Sequence, residues 1–105
     1  MIYVTVTEED RKRSDELRYS EALFVLGERC PIALALCRTL GIPYGAVDIS
    51  GGHIRFKEVR GYPGYRLPLS GIELPIPPDV RDQVTLFDTG EKMNLPFEFM
   101  IPLPA

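Results

Sequence analysis

Cysteine and histidine, the ligands of structural zinc, are scarce in this chain. It has two cysteines and one histidine among 105 residues, whereas structural zinc takes four Cys or His ligands. A metal site is therefore not expected. The two cysteines, Cys30 and Cys37, lie about 10 Å apart if one helix carries both, which is beyond disulfide reach. A reduced setting follows as the expectation. No apolar run approaches the roughly 18 residues of a membrane helix, and MIYVTVTEED lacks a basic stretch followed by an apolar one, so neither secretion by that route nor a membrane span is expected. The expected location is cytoplasmic. Glycine-rich phosphate loops of the P-loop or dinucleotide type are missing, and no cofactor is expected. The chain also lacks an excess of cations: its net charge is -3, which excludes the overall basic field of a general DNA or RNA binder. Internal repeats, domain linkers and low-complexity tracts are absent.

What is present reads as one folded domain. Hydrophobic residues make up 45% and charged residues 26%, ordinary globular usage, and the length suits a single core. Ile2 to Thr7 alternates Ile, Val, Val with Tyr, Thr, Thr, the period of a strand with one buried side. Thr7 before Glu8, Glu9 and Asp10 predicts a capped helix start with an acidic first turn. From Ser14 the chain either continues that helix or opens a second one, and Gly27 closes it in both cases. The stretch from Glu8 to Arg29 holds seven acids and five bases, as a solvated helical face would.

Cys30-Pro31 marks the next boundary, because proline disfavours helix in the preceding residue and suits the first helical position. Ile32, Ala33, Leu36, Cys37 and Leu40 then share a helix face, Leu34 and Ala35 are apolar too, and Gly41 is placed as a C-cap. This helix is expected at the centre of the core. Gly45 to Arg60 reads as a hairpin turning at Gly51-Gly52. A two-residue loop sets Ile49 opposite Ile54 and Val47 opposite Phe56 on the inner face, and Ser50 opposite His53, Asp48 opposite Arg55 and Ala46 opposite Lys57 on the outer one. The segment from Gly61 to Pro78 is too rich in proline and glycine for a regular central strand, though Leu67 to Leu74 is expected to supply a short edge strand. A last helix is predicted from Pro78-Asp79, with Val80, Val84 and Phe87 on its apolar side and Gly90 past its end. Leu95 to Ile101 alternates as a final strand, near an edge because of Pro96. The fold class is α+β: one small mixed or antiparallel sheet of about four strands packed on two to four helices.

Charge is segregated along the chain. Between His53 and Arg66 four cations (Arg55, Lys57, Arg60, Arg66) stand against Glu58, whereas from Glu73 to Glu91 five anions stand against Arg81. The candidate ligand site combines His53, Arg55, Lys57, Arg60, Tyr62, Tyr65 and Arg66, because cations satisfy phosphates and tyrosine rings stack on bases. The competing reading is a charged, exposed sheet face with core-covering tyrosines. A second candidate anion site is the helix start at Ile32 and Ala33 beside Arg29. For nucleophilic chemistry the residues offer Cys30 at a helix N-terminus with His53 as base, against which stands the habit of free cysteine to be a buried core residue. An enzyme is not expected.

The run Arg29-Cys30-Pro31-Ile32-Ala33-Leu34-Ala35-Leu36, with VTVTEED before it and PPDVRDQVTLFDTGE and PFEFMIPL after it, resembles a family of small uncharacterised proteins encoded by tailed bacteriophages. The chain departs from that pattern in a longer charged stretch between Ser14 and Gly27 and in an extended Tyr/Pro-rich loop. The resemblance implies a phage protein acting in the host cytoplasm and supplies no catalytic residues. The expectation it adds is an accessory binding protein, a homo-oligomer, that holds a small anionic ligand such as a cyclic nucleotide signal of host defence. The alternative is an inhibitor that docks on a host protein through a sheet edge or the segment Glu8 to Arg29.

Overall fold

The computed structural model describes residues 1–19, 24–57, 59 and 71–102. Its α+β architecture follows the order β1 (Ile2–Val6), α1 (Glu8–Arg18), α2 (Pro31–Leu40), β2 (Val47–Ser50), β3 (His53–Phe56), β4 (Glu73–Pro75), α3 (Pro78–Asp88) and β5 (Phe97–Ile101). Among the described residues no helix is long and apolar enough to cross a membrane.

The single sheet expected from the sequence is replaced by two antiparallel ones, β1-β5 and β2-β3-β4. Strand β1 pairs with β5 from the other end of the chain, Val4 opposite Phe99 and Val6 opposite Phe97, so the first and last alternating segments make their own ribbon. A two-stranded ribbon has little stability alone. Helix α2 supplies the missing support, packing on α1, β1 and β2. Every residue from Pro31 to Cys37 is buried, and a fully buried Ile or Leu contributes about 1.5–3 kcal/mol over its exposed state. Gly41 ends the helix at φ 67°, a left-handed conformation that costs glycine least.

Helix α1 starts at a complete capping box: the Thr7 side chain accepts from the Asp10 N–H while the Asp10 carboxylate accepts from the Thr7 N–H. It ends at Arg18; of a second helix from Ser14 through Leu26, residues 20–23 lie outside the described residues and residues 24–26 are not helical. Gly27 has a different task from closing a helix. A Cβ there would lie 2.0 Å from Asp48 Oδ1 and 2.6 Å from the Ile49 carbonyl, and the Gly27 carbonyl accepts from the Ile49 N–H at 3.1 Å. Glycine is required because β2 passes so close.

The hairpin register is as the two-residue turn dictates, Val47 opposite Phe56, Ile49 opposite Ile54 and Ser50 opposite His53. Gly51 and Gly52 both have positive φ, as a primed turn demands. The edge strand is displaced from its expected span: β4 covers Glu73–Pro75 and pairs with β3 through Ile54 opposite Leu74, while residues 67–70 lie outside the described residues. Pro75 stands at the edge, where a missing N–H removes no ladder bond. The Ile76 N–H then donates to the Gly52 carbonyl at 3.0 Å. Helix α3 buries Val80 and Phe87, and its other side turns toward the hairpin tip.

Candidate functional site

On the outer hairpin face the cations are already paired. Arg55 Nε lies 3.1 Å from Glu73 Oε1, its cross-strand partner on β4. Lys57 Nζ lies 2.6 Å from Glu28 Oε2, whose side chain is only 15% exposed. The Arg55–Glu73 pair, about half exposed on both sides, contributes about 0–1 kcal/mol to stability. Both pairs do, however, cancel the positive field that an incoming anion would feel, so Arg55 and Lys57 fit the charged-face reading better than the ligand site expected of them. His53 is different. It is exposed and its Nδ1 is 3.0 Å from the Gly51 carbonyl. A carbonyl only accepts, so this contact places the hydrogen on Nδ1 and leaves Nε2 directed elsewhere.

The remaining members of the sequence-based site, Arg60, Tyr62, Tyr65 and Arg66, lie outside the described residues. Their segment leaves β3 beyond Phe56 and returns at Gly71, whose N–H donates to the Phe56 carbonyl at 2.9 Å. Its roots are thus at the opposite end of the hairpin from the Gly51-Gly52 turn and His53.

At the turn end, an open cleft of about 500 Å³ separates the hairpin tip from α3. One wall is formed by Ile49 to His53, the floor by Pro75 and Ile76, and the other wall by Arg81, Val84, Thr85 and Asp88. The volume falls within the about 300–1,000 Å³ typical of small-molecule sites. The four helix residues stand at i, i+3, i+4 and i+7, hence on one face. Thr85 Oγ1 donates to the Arg81 carbonyl at 3.1 Å, so its hydroxyl hydrogen is committed to the helix backbone. Partial desolvation raises the pKa of the Asp88 carboxyl although the residue is exposed, because a desolvated carboxylate loses more than a neutral acid does. Among the described residues neither Arg81 nor Asp88 has an ion-pair partner.

The candidate anion site at the start of α2 is closed. Ile32 and Ala33 have no exposed surface, and the Arg29 guanidinium sits over the Phe87 ring, 5.8 Å from its centroid. A soluble anion has no approach to those backbone N–H groups. Cys30 is equally unsuited to attack: burial pushes its thiol up to about 12, although the Ile32 and Ala33 N–H groups act in the other direction. Desolvation outweighs the helix terminus here, and the core-cysteine reading holds. No group of three or more His, Cys, Asp or Glu residues able to hold a metal exists among the described residues.

Arg81, Thr85 and Asp88 were not singled out from the sequence. Their i, i+4, i+7 spacing was available as a signal, but the same helix also carries Val80, Val84 and Phe87, and the apolar set dominated. Compared with protein-family models, with curated proteins and with solved structures, the chain has no match.

Proposed function

We propose that the chain is a phage-encoded, non-catalytic accessory protein that binds a small anionic ligand in the cleft between the β2–β3 turn and α3, with Arg81 as its cationic contact and the His53 imidazole beside it. The observation that carries this reading is the convergence of those two side chains on one open cleft while Arg55 and Lys57 are engaged by carboxylates. A guanidinium presents a planar fork suited to phosphate and carboxylate oxygens. A cyclic nucleotide remains the first ligand to try. The proposed setting is the host cytoplasm and the proposed assembly a homo-oligomer, in which a neighbouring copy would deepen an open cleft.

The test is calorimetric titration and thermal shift with inorganic phosphate and with linear and cyclic nucleotides. A ligand at 100 times its Kd raises stability by about 2.7 kcal/mol, a shift of roughly 10 °C or more in a domain of this size. Arg81→Gln should weaken binding about tenfold or more through loss of a charge-assisted hydrogen bond. Arg55→Gln should leave it within about twofold, since Glu73 already holds that side chain. Equal losses in the two variants, or no response to any anion, would remove the basis of the reading.

A second reading, docking on a host protein through a sheet edge, is favoured by a separate observation. Tyr3 and Met100 face each other across β1 and β5 and are 68% and 43% exposed. An aromatic–methionine pair on a two-stranded ribbon offers both apolar surface and unpaired strand edges to a partner. Tyr3→Ser with Met100→Ser should abolish capture of a stoichiometric host protein and leave anion binding unchanged; the reverse pattern supports the cleft.

A further inference from the structure

The cleft is polar in opposite senses along α3. Arg81 and Asp88 are seven positions apart on the same face, which sets them about 10 Å apart along the helix axis at 1.5 Å per residue. Val84, half-buried, and Thr85 lie between them, and Ile76 forms the floor. The helix dipole runs in the same sense as the side chains, positive toward the Arg81 end and negative toward the last turn that holds Asp88. A simple dianion fits only half of this surface, because its second charge would meet Asp88.

We infer that the ligand is a nucleoside monophosphate whose base carries an exocyclic amino group, with the phosphate at Arg81, the base donor at Asp88 and the ring plane against Val84 and Ile76. This rests on the anion-binding reading of the same cleft. A nucleotide of this kind has its phosphorus and base amino group separated by a length comparable to the Arg81–Asp88 spacing. It presents an apolar ring face to the middle of the cleft and a donor to a carboxylate that has no ion-pair partner among the described residues. The raised Asp88 pKa agrees in direction, since partial desolvation of this otherwise exposed side chain disfavours the carboxylate and an N–H donor from the ligand would favour it.

The experiment is calorimetric titration of the intact chain with inorganic phosphate, ribose 5-phosphate and adenosine 5′-monophosphate, repeated on Arg81→Gln and Asp88→Ala. Asp88 is exposed near the helix end, so its removal should leave the fold intact, checked by circular dichroism. For the wild type, adenosine monophosphate is expected to bind at least about tenfold more tightly than ribose 5-phosphate, the usual worth of a hydrogen bond to a charged group. Asp88→Ala should erase that preference and leave ribose 5-phosphate binding equal or tighter. Arg81→Gln should weaken both. If ribose 5-phosphate and adenosine monophosphate bind the wild type alike, or Asp88→Ala changes both by the same factor, the base assignment fails while the anion site stands. If Arg81→Gln changes neither, or no probe binds, the anion site fails and the base assignment with it.

Discussion

Replacing Asp10 by alanine should cost this fold about 2–3 kcal/mol, a loss that its place in an acidic helix turn would not suggest. The side chain is 4% exposed and its carboxylate accepts from the Thr7 N–H at 2.9 Å, the Thr7 hydroxyl at 3.1 Å, Arg38 Nε at 3.2 Å and Arg38 Nη2 at 2.9 Å. The same Nη2 donates to the Thr5 carbonyl at 2.7 Å. One carboxylate therefore ties the start of α1 to α2 and, through Arg38, to the end of β1. Losing a cap costs about 1 kcal/mol, and losing hydrogen bonds to a charged partner about 1.5–3 kcal/mol. The full penalty of about 3–5 kcal/mol for breaking a buried pair does not apply, because the Arg38 side chain is 48% exposed and can rehydrate. Against a total stability of about 5–15 kcal/mol, the expected loss lowers Tm by roughly 10–20 °C. Urea denaturation of the wild type, Asp10→Ala, Arg38→Ala and the double variant gives the coupling, expected at about 1–2 kcal/mol for a network of this kind. Asp15→Ala, which removes only the exposed pair with Arg11, should cost about 0.5 kcal/mol or less. An Asp10→Ala loss no larger than that of Asp15→Ala, or a coupling near zero, would refute the reasoning.

Two further outcomes follow from the core. Gly27→Ala should destabilise by about 1–3 kcal/mol, the range of overpacking, because β2 backbone and Asp48 occupy the space of the new methyl; denaturant midpoints check it, and an unchanged midpoint would show that the approach of β2 is not fixed. Cys30 and Cys37 are both pushed by burial from 9.0 to about 12, so the fold favours the neutral thiols and the unfolded chain ionises first. Their contribution is fully present below about pH 9 and is lost as pH rises toward 12, so stability should fall across that window and fall less steeply in a Cys30→Ala, Cys37→Ala variant. Native protein should leave both thiols unreactive toward a disulfide reagent at neutral pH, and their rapid modification without unfolding would overturn this.

The elements that were legible in the sequence are those whose cause is local. Alternation from Ile2 to Thr7 and from Leu95 to Ile101, realised as strands Ile2–Val6 and Phe97–Ile101, the Cys30-Pro31 boundary and the Gly51-Gly52 turn each act within a few residues, and the hairpin pairing followed from the turn alone. Partnership between distant segments was not legible. Nothing in the first strand says that it pairs with the last one, so a single sheet was the simplest expectation and two sheets the outcome. Asp10 and Gly27 fail for the same reason. Each has a local explanation, helix dipole for one and helix end for the other, that hides a contact with Arg38 or with β2.

The charge pattern behaves likewise, and it decides how the site is read. The charged residues of 53–66 are mostly basic and those of 73–91 mostly acidic, which on a line suggests one positive surface and one negative. Antiparallel pairing of β3 with β4 folds the first segment onto the second and sets Arg55 opposite Glu73. Charges segregated along the chain thereby become complementary across a strand pair, and the field they promised largely cancels. The cation that meets the cleft is instead the one of minority sign in the acidic stretch. Arg81 stands one turn into α3, faces the cleft and has no ion-pair partner among the described residues. For a small antiparallel domain, the informative cation is one that both lines a cleft and is left without a carboxylate, and its identity depends on register rather than on the local density of charge.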